Sequence, residues 1–210
     1  MSINIIPSHE QILHFPKGEQ AHLSANEWLI WSSSQDEAGN VTLPDLERSE
    51  FKKVLVPFTW WRSQLEAHQE AEIQAKAKLG QIGVWFAADD DILNYADLIE
   101  QGKTLWPLVA AHFPIFRDGR SFSTAALLRS RFQWGTEIRA IGDVLIDQLL
   151  QGARVGFNSF ALRPDQKTDV ALKQFDLFTV STQNSWRGQR TLLQSAQSEA
   201  CLVNAQPTHS

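Results

Sequence analysis

The chain has 210 residues, of which 43% are hydrophobic, including 8 tryptophans and 12 phenylalanines, so it can build one sizeable core and is not disordered throughout. The net charge of -5 argues against a general attraction to nucleic acid, so any anion site must be local. One cysteine, Cys201, excludes an intramolecular disulfide and a cysteine-ligated iron–sulfur cluster, which needs about four thiolates.

The first 50 residues mix short apolar runs with turn residues such as Lys17-Gly18 and Gly39-Asn40. This pattern predicts an N-terminal cap that can add an edge hairpin to the domain. The segment from Met1 to His9 lacks the basic start and long apolar run of a signal peptide, and no stretch is long enough to span a bilayer. A cytoplasmic location is therefore expected.

Strand and helix patterns alternate from residue 53 to 180. Apolar runs predict strands at 54–58, 82–87, 105–116, 137–141 and 157–162, with helices at 60–78, 92–101, 123–132 and 143–154. Gly80 ends the first helix, and the acids Asp89 to Asp91 can cap the second.

Strands that alternate with helices need crossover connections, so the fold class is α/β with a mostly parallel sheet of about five strands covered by helices. Five strands are too few for a closed barrel. An open doubly wound sheet is the preferred prediction, with a partial β/α barrel as the alternative.

The predicted organisation is a single domain over residues 1–180, made of the cap at 1–50 and the strand–helix units at 53–180. Beyond Ser181 the chain is rich in Gln, Ser, Asn and Thr. Such a composition leaves little apolar surface to bury, so residues 181–210 are predicted to form a mobile polar tail.

Polar residues follow each predicted strand, where ligands of parallel sheets bind. The segment 117–123 is the richest in such residues. Two guanidinium groups flank Gly119, which can take a left-handed turn, and a serine can cap the next helix. These features predict an anion site in this segment, and Arg163 at the end of the last strand is added to it. The proposed ligand-binding residues are Arg117, Gly119, Arg120, Ser121, Ser123 and Arg163.

A second interpretation needs no ligand: Asp118-Gly119 forms an ordinary turn, a serine caps the helix, and the arginines pair with nearby carboxylates. Asp118 and Asp143 are the candidate catalytic carboxylates, and Asp143 can equally cap the helix that it precedes.

The remaining chemistry-bearing residues give weaker signals. The six histidines lack the spacing of a metal site. His112 lies inside an apolar run, which favours a core histidine over a catalytic one. Trp60, Trp61, Trp85 and Phe116 can either stack on a planar ligand or fill the core. No motif identifies a cofactor.

The central segment resembles a known bacterial family, domain of unknown function 934, described as a probable oxidoreductase involved in sulfite reduction. The similarity rests on residues 113–123, 126–129, 137–144, 147–148 and 156–157, with Trp28, 54–57, Trp61 and 82–85. Two positions depart from the family pattern. Ser121 replaces a usual glycine, and Val155 stands where a cysteine is frequent.

The resemblance implies a role near the enzyme that reduces sulfite, and an oxyanion such as sulfite suits two arginines. The first hypothesis is an accessory or oxidoreductase-like protein of assimilatory sulfite reduction. The second is a non-catalytic module that binds sulfite reductase or another sulfur-assimilation enzyme through its aromatic N-terminal half and exposed helices. The third is a phosphate-dependent lyase or isomerase.

Overall fold

One sheet organises the residues that the computed structural model describes, which are 4–32, 43–44, 51–66, 70–177 and 183–188. Within these ranges the strands are β1 (Gln11–His14), β2 (His22–Ala25), β3 (Trp28–Ile30), β4 (Lys53–Pro57), β5 (Ile82–Phe86), β6 (Leu108–Phe113), β7 (Glu137–Gly142) and β8 (Ser159–Phe160). The helices are α1 (Phe58–Glu66), α2 (Glu70–Lys78), α3 (Ala96–Leu105), α4 (Arg120–Ser130), α5 (Leu149–Val155) and α6 (Thr168–Lys173).

The strands lie in the order β2-β1-β8-β7-β6-β5-β4-β3. From β3 to β8 they are parallel and each pairs with the next strand in sequence. The α/β class and the mostly parallel sheet are thus confirmed, but the sheet has eight strands and not about five. The doubly wound prediction is wrong, because a doubly wound sheet reverses its strand order and this order never reverses. The sheet instead curls into a half-barrel.

The helices cover one face of this curled sheet. Right-handed crossovers between consecutive strands place every connecting helix on the same side. Apolar residues of β4 to β8, such as Val56, Val84 and Phe160, form one large cluster with helix residues such as Trp61 and Leu128. This cluster is the main hydrophobic core.

The opposite, concave face of the sheet carries a second and smaller cluster. Successive strand residues point to opposite faces, so Leu55, Trp85, Ala110 and Ile141 line the inside of the curl. The Trp85 indole N–H donates to the carbonyl of Trp31 at 2.8 Å, which satisfies its polar atom in this buried place.

The N-terminal residues complete the half-barrel. The predicted edge hairpin is confirmed, since β1 and β2 pair antiparallel and β1 adds to β8. Residues 4–9, which we call the strap, cross the concave face between its two sides. The Ile6 amide donates to the Ile30 carbonyl at 2.8 Å, and the His9 amide donates to the Leu162 carbonyl at 2.8 Å.

Several predicted boundaries are corrected. The helix expected at 60–78 is two helices, with 67–69 outside the described residues. The helix expected at 143–154 begins at Leu149 after a short 3-10 turn. The helix expected at 123–132 begins at Arg120. The strand β3 was missed because its three residues carry no periodic signal of their own.

Part of the predicted polar tail packs on the domain. Trp186 lies over the Arg129 guanidinium at 4.1 Å, and Arg187 donates to the carbonyls of Phe15 and Pro16 at 2.6 and 2.7 Å. Residues 178–182 and 189–210 lie outside the described residues, so the prediction of a mobile tail is untested there. None of the described helices is both long and apolar enough to cross a membrane.

A buried arginine anchors the far side of the core. Arg129 donates to the carbonyls of Gly156 at 2.9 Å and Thr136 at 2.8 Å, and to that of Trp134. Burial lowers the pKa of Arg129 to about 10, so the side chain remains charged at neutral pH. Gly156 has a φ of +136°, and a Cβ there would lie 2.5 Å from Arg129 Cγ.

The variant Gly156→Ala should therefore be strongly destabilised. Both the unfavourable φ and the clash with Arg129 act against it, and we expect a loss of about 2 kcal/mol or more in the free energy of unfolding. Urea denaturation measures this loss. Gly135→Ala is the matched control, since a Cβ there meets nothing within 4 Å, and equal losses in both variants would contradict the explanation.

Candidate functional site

The carboxyl ends of β6, β7 and β8 border a cavity of about 360 Å³. Parallel strands bring these ends to the same edge of the sheet, as expected from the alternation of strands and helices in the sequence. His112, Asp143 and Arg163 are its polar lining residues, and the strap lines its other side. Two of the predicted site residues, Asp143 and Arg163, are thus brought together.

His112 lies on the concave face near the end of the central strand β6. Its ring packs edge-on against Trp85, with 5.2 Å between the ring centroids. Among the described residues, its imidazole nitrogens have no hydrogen-bond partner. Burial lowers the pKa of His112 below its usual value, so the ring is neutral at neutral pH. It is the polar group of the cavity that is left open to a ligand.

Gly142, at the end of β7, makes room for this ring. It has a φ of +92°, and a Cβ there would lie 2.4 Å from the Phe113 carbonyl oxygen and 2.6 Å from His112 Cδ2. Only glycine lets the two strand ends approach so closely.

Asp143 connects two loops at this edge. One carboxylate oxygen accepts from the Phe116 amide at 2.8 Å, and the other accepts from Arg163 Nη1 at 2.7 Å. Arg163 also donates twice to Asp165, at 2.6 and 2.8 Å. Asp143 therefore positions the loop after β6 against the segment after β8, and it does not cap the helix that follows it.

Asp118 and Arg120 form a pair of their own. The guanidinium of Arg120 contacts both carboxylate oxygens of Asp118, with the shortest distance 2.7 Å. The side-chain hydrogen bond from Arg120 holds the pKa of Asp118 below its usual value, which makes this carboxyl a poor proton donor at neutral pH. The interpretation in which the arginines pair with nearby carboxylates is therefore correct for Arg120. Arg117, in contrast, has no side-chain partner among the described residues.

The helix start differs from its prediction. Gly119 has a φ of -84° and is the residue before α4, so it makes no left-handed turn. Ser121 and Ser123 lie within α4 and neither caps it. The Ser121 hydroxyl is fully buried and donates to the His112 carbonyl at 2.6 Å. Its role is to fasten α4 to β6 directly behind the cavity.

Two of the predicted residues, Arg120 and Ser123, line a separate recess of about 180 Å³ between α4 and the loop after β5, with Asp90 and Asp91 opposite. Burial raises the pKa of Asp90, although its carboxylate accepts from the Ala87 amide at 2.7 Å. Asp91 caps the next helical turn by accepting from Leu93, as predicted. The structure thus brings Asp143 and Arg163 to one cavity and Arg120 and Ser123 to another.

Sequence reasoning missed a polar cluster on the concave face at the other end of the strands. Glu137 accepts from Arg139 at 2.6 Å and from the Ser159 hydroxyl at 2.5 Å. Burial alone would raise the pKa of Glu137, but the Arg139 charge and the two hydrogen bonds leave it lowered. Alternation along β7 could have shown that Glu137 and Arg139 share a face. No grouping of His, Cys, Asp and Glu within the described ranges could hold a metal ion.

The fold and cavity define a class: an α/β half-barrel with a ligand-sized cavity at the carboxyl ends of its parallel strands. The sequence profile of one family, described as bacterial protein of unknown function (DUF934), matches residues 83–193. This match spans more than half of the chain, and the chain belongs to that family. No curated protein and no solved structure matched the chain.

Substitution of Asp143 directly tests whether this residue holds the loop after β6 against the segment after β8. Asp143→Ala removes the acceptor of the Phe116 amide and the partner of Arg163, so we expect a loss of about 1–3 kcal/mol in the free energy of unfolding. Faster hydrogen exchange at the Phe116 amide should accompany it. Asp143→Asn keeps an acceptor and should slow that exchange again. Asp147→Ala is the exposed control, and an unchanged Phe116 amide in Asp143→Ala would contradict the assignment.

Proposed function

We propose that this protein binds a small anion in the cavity between His112, Asp143 and Arg163, and that it does so as an accessory protein of assimilatory sulfite reduction. One observation carries the proposal. The imidazole of His112, which has no hydrogen-bond partner among the described residues, lines the same cavity as the Arg163 guanidinium. Parallel sheets bind ligands at this edge.

The guanidinium of Arg163 can still donate to a ligand. Of its five N–H groups, three are directed at Asp143 and Asp165, which leaves two. Both carboxylates also offset its positive charge. The hydrogen bonds from Arg163 lower the pKa of Asp165 to about 2, so this carboxylate stays ionised under ordinary conditions.

A bound anion therefore needs the charge of a protonated His112. Because burial lowers the pKa of His112, protonation of the free protein requires a pH below the usual histidine range. An anion that contacts the ring would favour its charged form and raise this pKa. Binding and proton uptake are then linked, and affinity should rise as the pH falls.

The link to sulfite reduction rests on the family resemblance, and the cavity is compatible with it. Sulfite is a small oxyanion that accepts hydrogen bonds from guanidinium and imidazolium groups. His112 is better suited to proton transfer than Asp118 or Asp143, because arginines pair with both carboxylates. This weakens the hypothesis of a lyase or isomerase that uses Asp118 or Asp143 as its proton-transfer group.

Calorimetric titration with sulfite and with methanesulfonate tests the proposal. Loss of one charged donor should weaken binding by about tenfold or more in Arg163→Gln and in His112→Gln. Arg120→Gln is the matched control, since Arg120 lines the other recess. For methanesulfonate, affinity should rise by up to about tenfold per pH unit as the pH falls from about 8 to about 5.5, and this dependence should vanish in His112→Gln. Weakened binding in Arg120→Gln alone would move the site to the start of α4.

A second candidate function is that of a non-catalytic module that binds a sulfur-assimilation enzyme. The tryptophans of the N-terminal half are unsuitable for this, because Trp28, Trp31, Trp60 and Trp61 are buried in the two cores. The loop after β6 instead exposes Ile115 and Phe116, at 38% and 47%, next to the lining residue Pro114. Two adjacent exposed apolar residues on a positioned loop favour contact with a partner.

Co-purification with sulfite reductase tests this second candidate. The wild-type protein should retain the enzyme, and the double variant Ile115→Ser with Phe116→Ser should lose it. Leu79→Ser changes an exposed leucine at the end of α2 and should retain it. Equal retention by both variants would exclude this loop as the contact.

A further inference from the structure

The cavity at the carboxyl ends of β6, β7 and β8 has a polar side and an apolar side. His112, Asp143 and Arg163 form the polar side. The strap contributes Ile5, Ile6 and Pro7, and two more prolines complete the apolar side, namely Pro114 and Pro164. A bare oxyanion such as sulfite can use only the polar side.

Backbone contacts hold the strap residues in place. The backbone of Ile5 bridges to that of Trp31, and the Ser32 amide donates to the Asn4 carbonyl at 2.9 Å. The far end of the strap is fixed by the bond from His9 to Leu162. The apolar side is therefore a preformed surface, which reduces the ordering cost of binding.

Ile5 is the unusual member of this surface. Its side chain is 50% exposed, although its backbone is fixed and its neighbour Ile6 packs against the inner cluster. A large exposed aliphatic side chain that lines a cavity gains free energy when a ligand covers it.

We infer that the natural ligand is a small organic anion, with a sulfonate or carboxylate head and a short aliphatic chain. This inference rests on the proposed anion site. The head accepts hydrogen bonds from Arg163 and His112, and the chain lies along Ile5, Ile6 and Pro7. The volume of about 360 Å³ lies at the low end of the range for small-molecule sites, about 300–1,000 Å³, which suits such an anion better than a dinucleotide.

The length of the ligand's aliphatic chain is the variable that tests the inference. The full-length protein is titrated with methanesulfonate, propanesulfonate and pentanesulfonate, and with acetate, butanoate and pentanoate. The affinity should rise about two- to fourfold for each methylene added to the ligand. Comparison of the two series identifies the preferred head. Affinity that does not change with chain length overturns the inference.

The variant Ile5→Ser separates the strap from the polar side. It keeps the backbone bridge, so the fold should be retained, and we expect the affinity gain per methylene to shrink while methanesulfonate binds as in the wild type. Leu79→Ser is the control and should keep the full gain. An unchanged gain in Ile5→Ser overturns the role of the strap.

The outcomes distinguish this inference from the function on which it rests. Sulfite binding that depends on Arg163, without any dependence on chain length in the organic anions, refutes the organic ligand and leaves the anion site standing. If neither sulfite nor any organic anion binds, both the site and its ligand class are refuted.

Discussion

One-sided coverage of the parallel sheet is the constraint on which the rest of this structure depends. The six parallel strands β3 to β8 follow each other in sequence order, and right-handed crossovers then place the helices that connect them on the convex face. No described helix contributes to the core cluster of the concave face. It must be filled by its own side chains, such as Trp85 and Leu55, and covered by the strap.

This arrangement also explains where the cavity lies. The strap covers the concave face but does not fill the space above the ends of β6, β7 and β8, where Gly142 leaves room for the His112 ring. Asp143 ties the loop after β6 to Arg163, so the polar side of the cavity is fixed by direct hydrogen bonds. Ser121 fastens α4 behind the cavity, whereas Gly156 accommodates the buried Arg129 on the far side of the core.

Electrostatics distinguish the two groups of predicted site residues. Arg120 and Asp118 satisfy each other in a bidentate pair, which reduces what either can offer to a ligand. Arg163 retains two donors although it is paired, and His112 stands beside it without a partner among the described residues. The charges of the two ionised lining residues, Asp143 and Arg163, cancel each other while His112 is neutral. Anion affinity that depends on pH follows from that balance of charges.

The sequence by itself determined the local features: the α/β class, most strand positions, the edge hairpin, the cap at Asp91 and the polar strand ends. These follow from periodicity and turn chemistry, which act between near neighbours. Only the tertiary structure decided the order of the strands in the sheet, the split of the predicted site and the lack of a hydrogen-bond partner for the His112 ring among the described residues. Each of these depends on contacts between residues distant in sequence, such as Asp143 with Phe116 and the strap with both sides of the sheet. The pattern of a single strand shows which face of the sheet a histidine occupies, but it does not show whether a hydrogen-bond partner lies on that face.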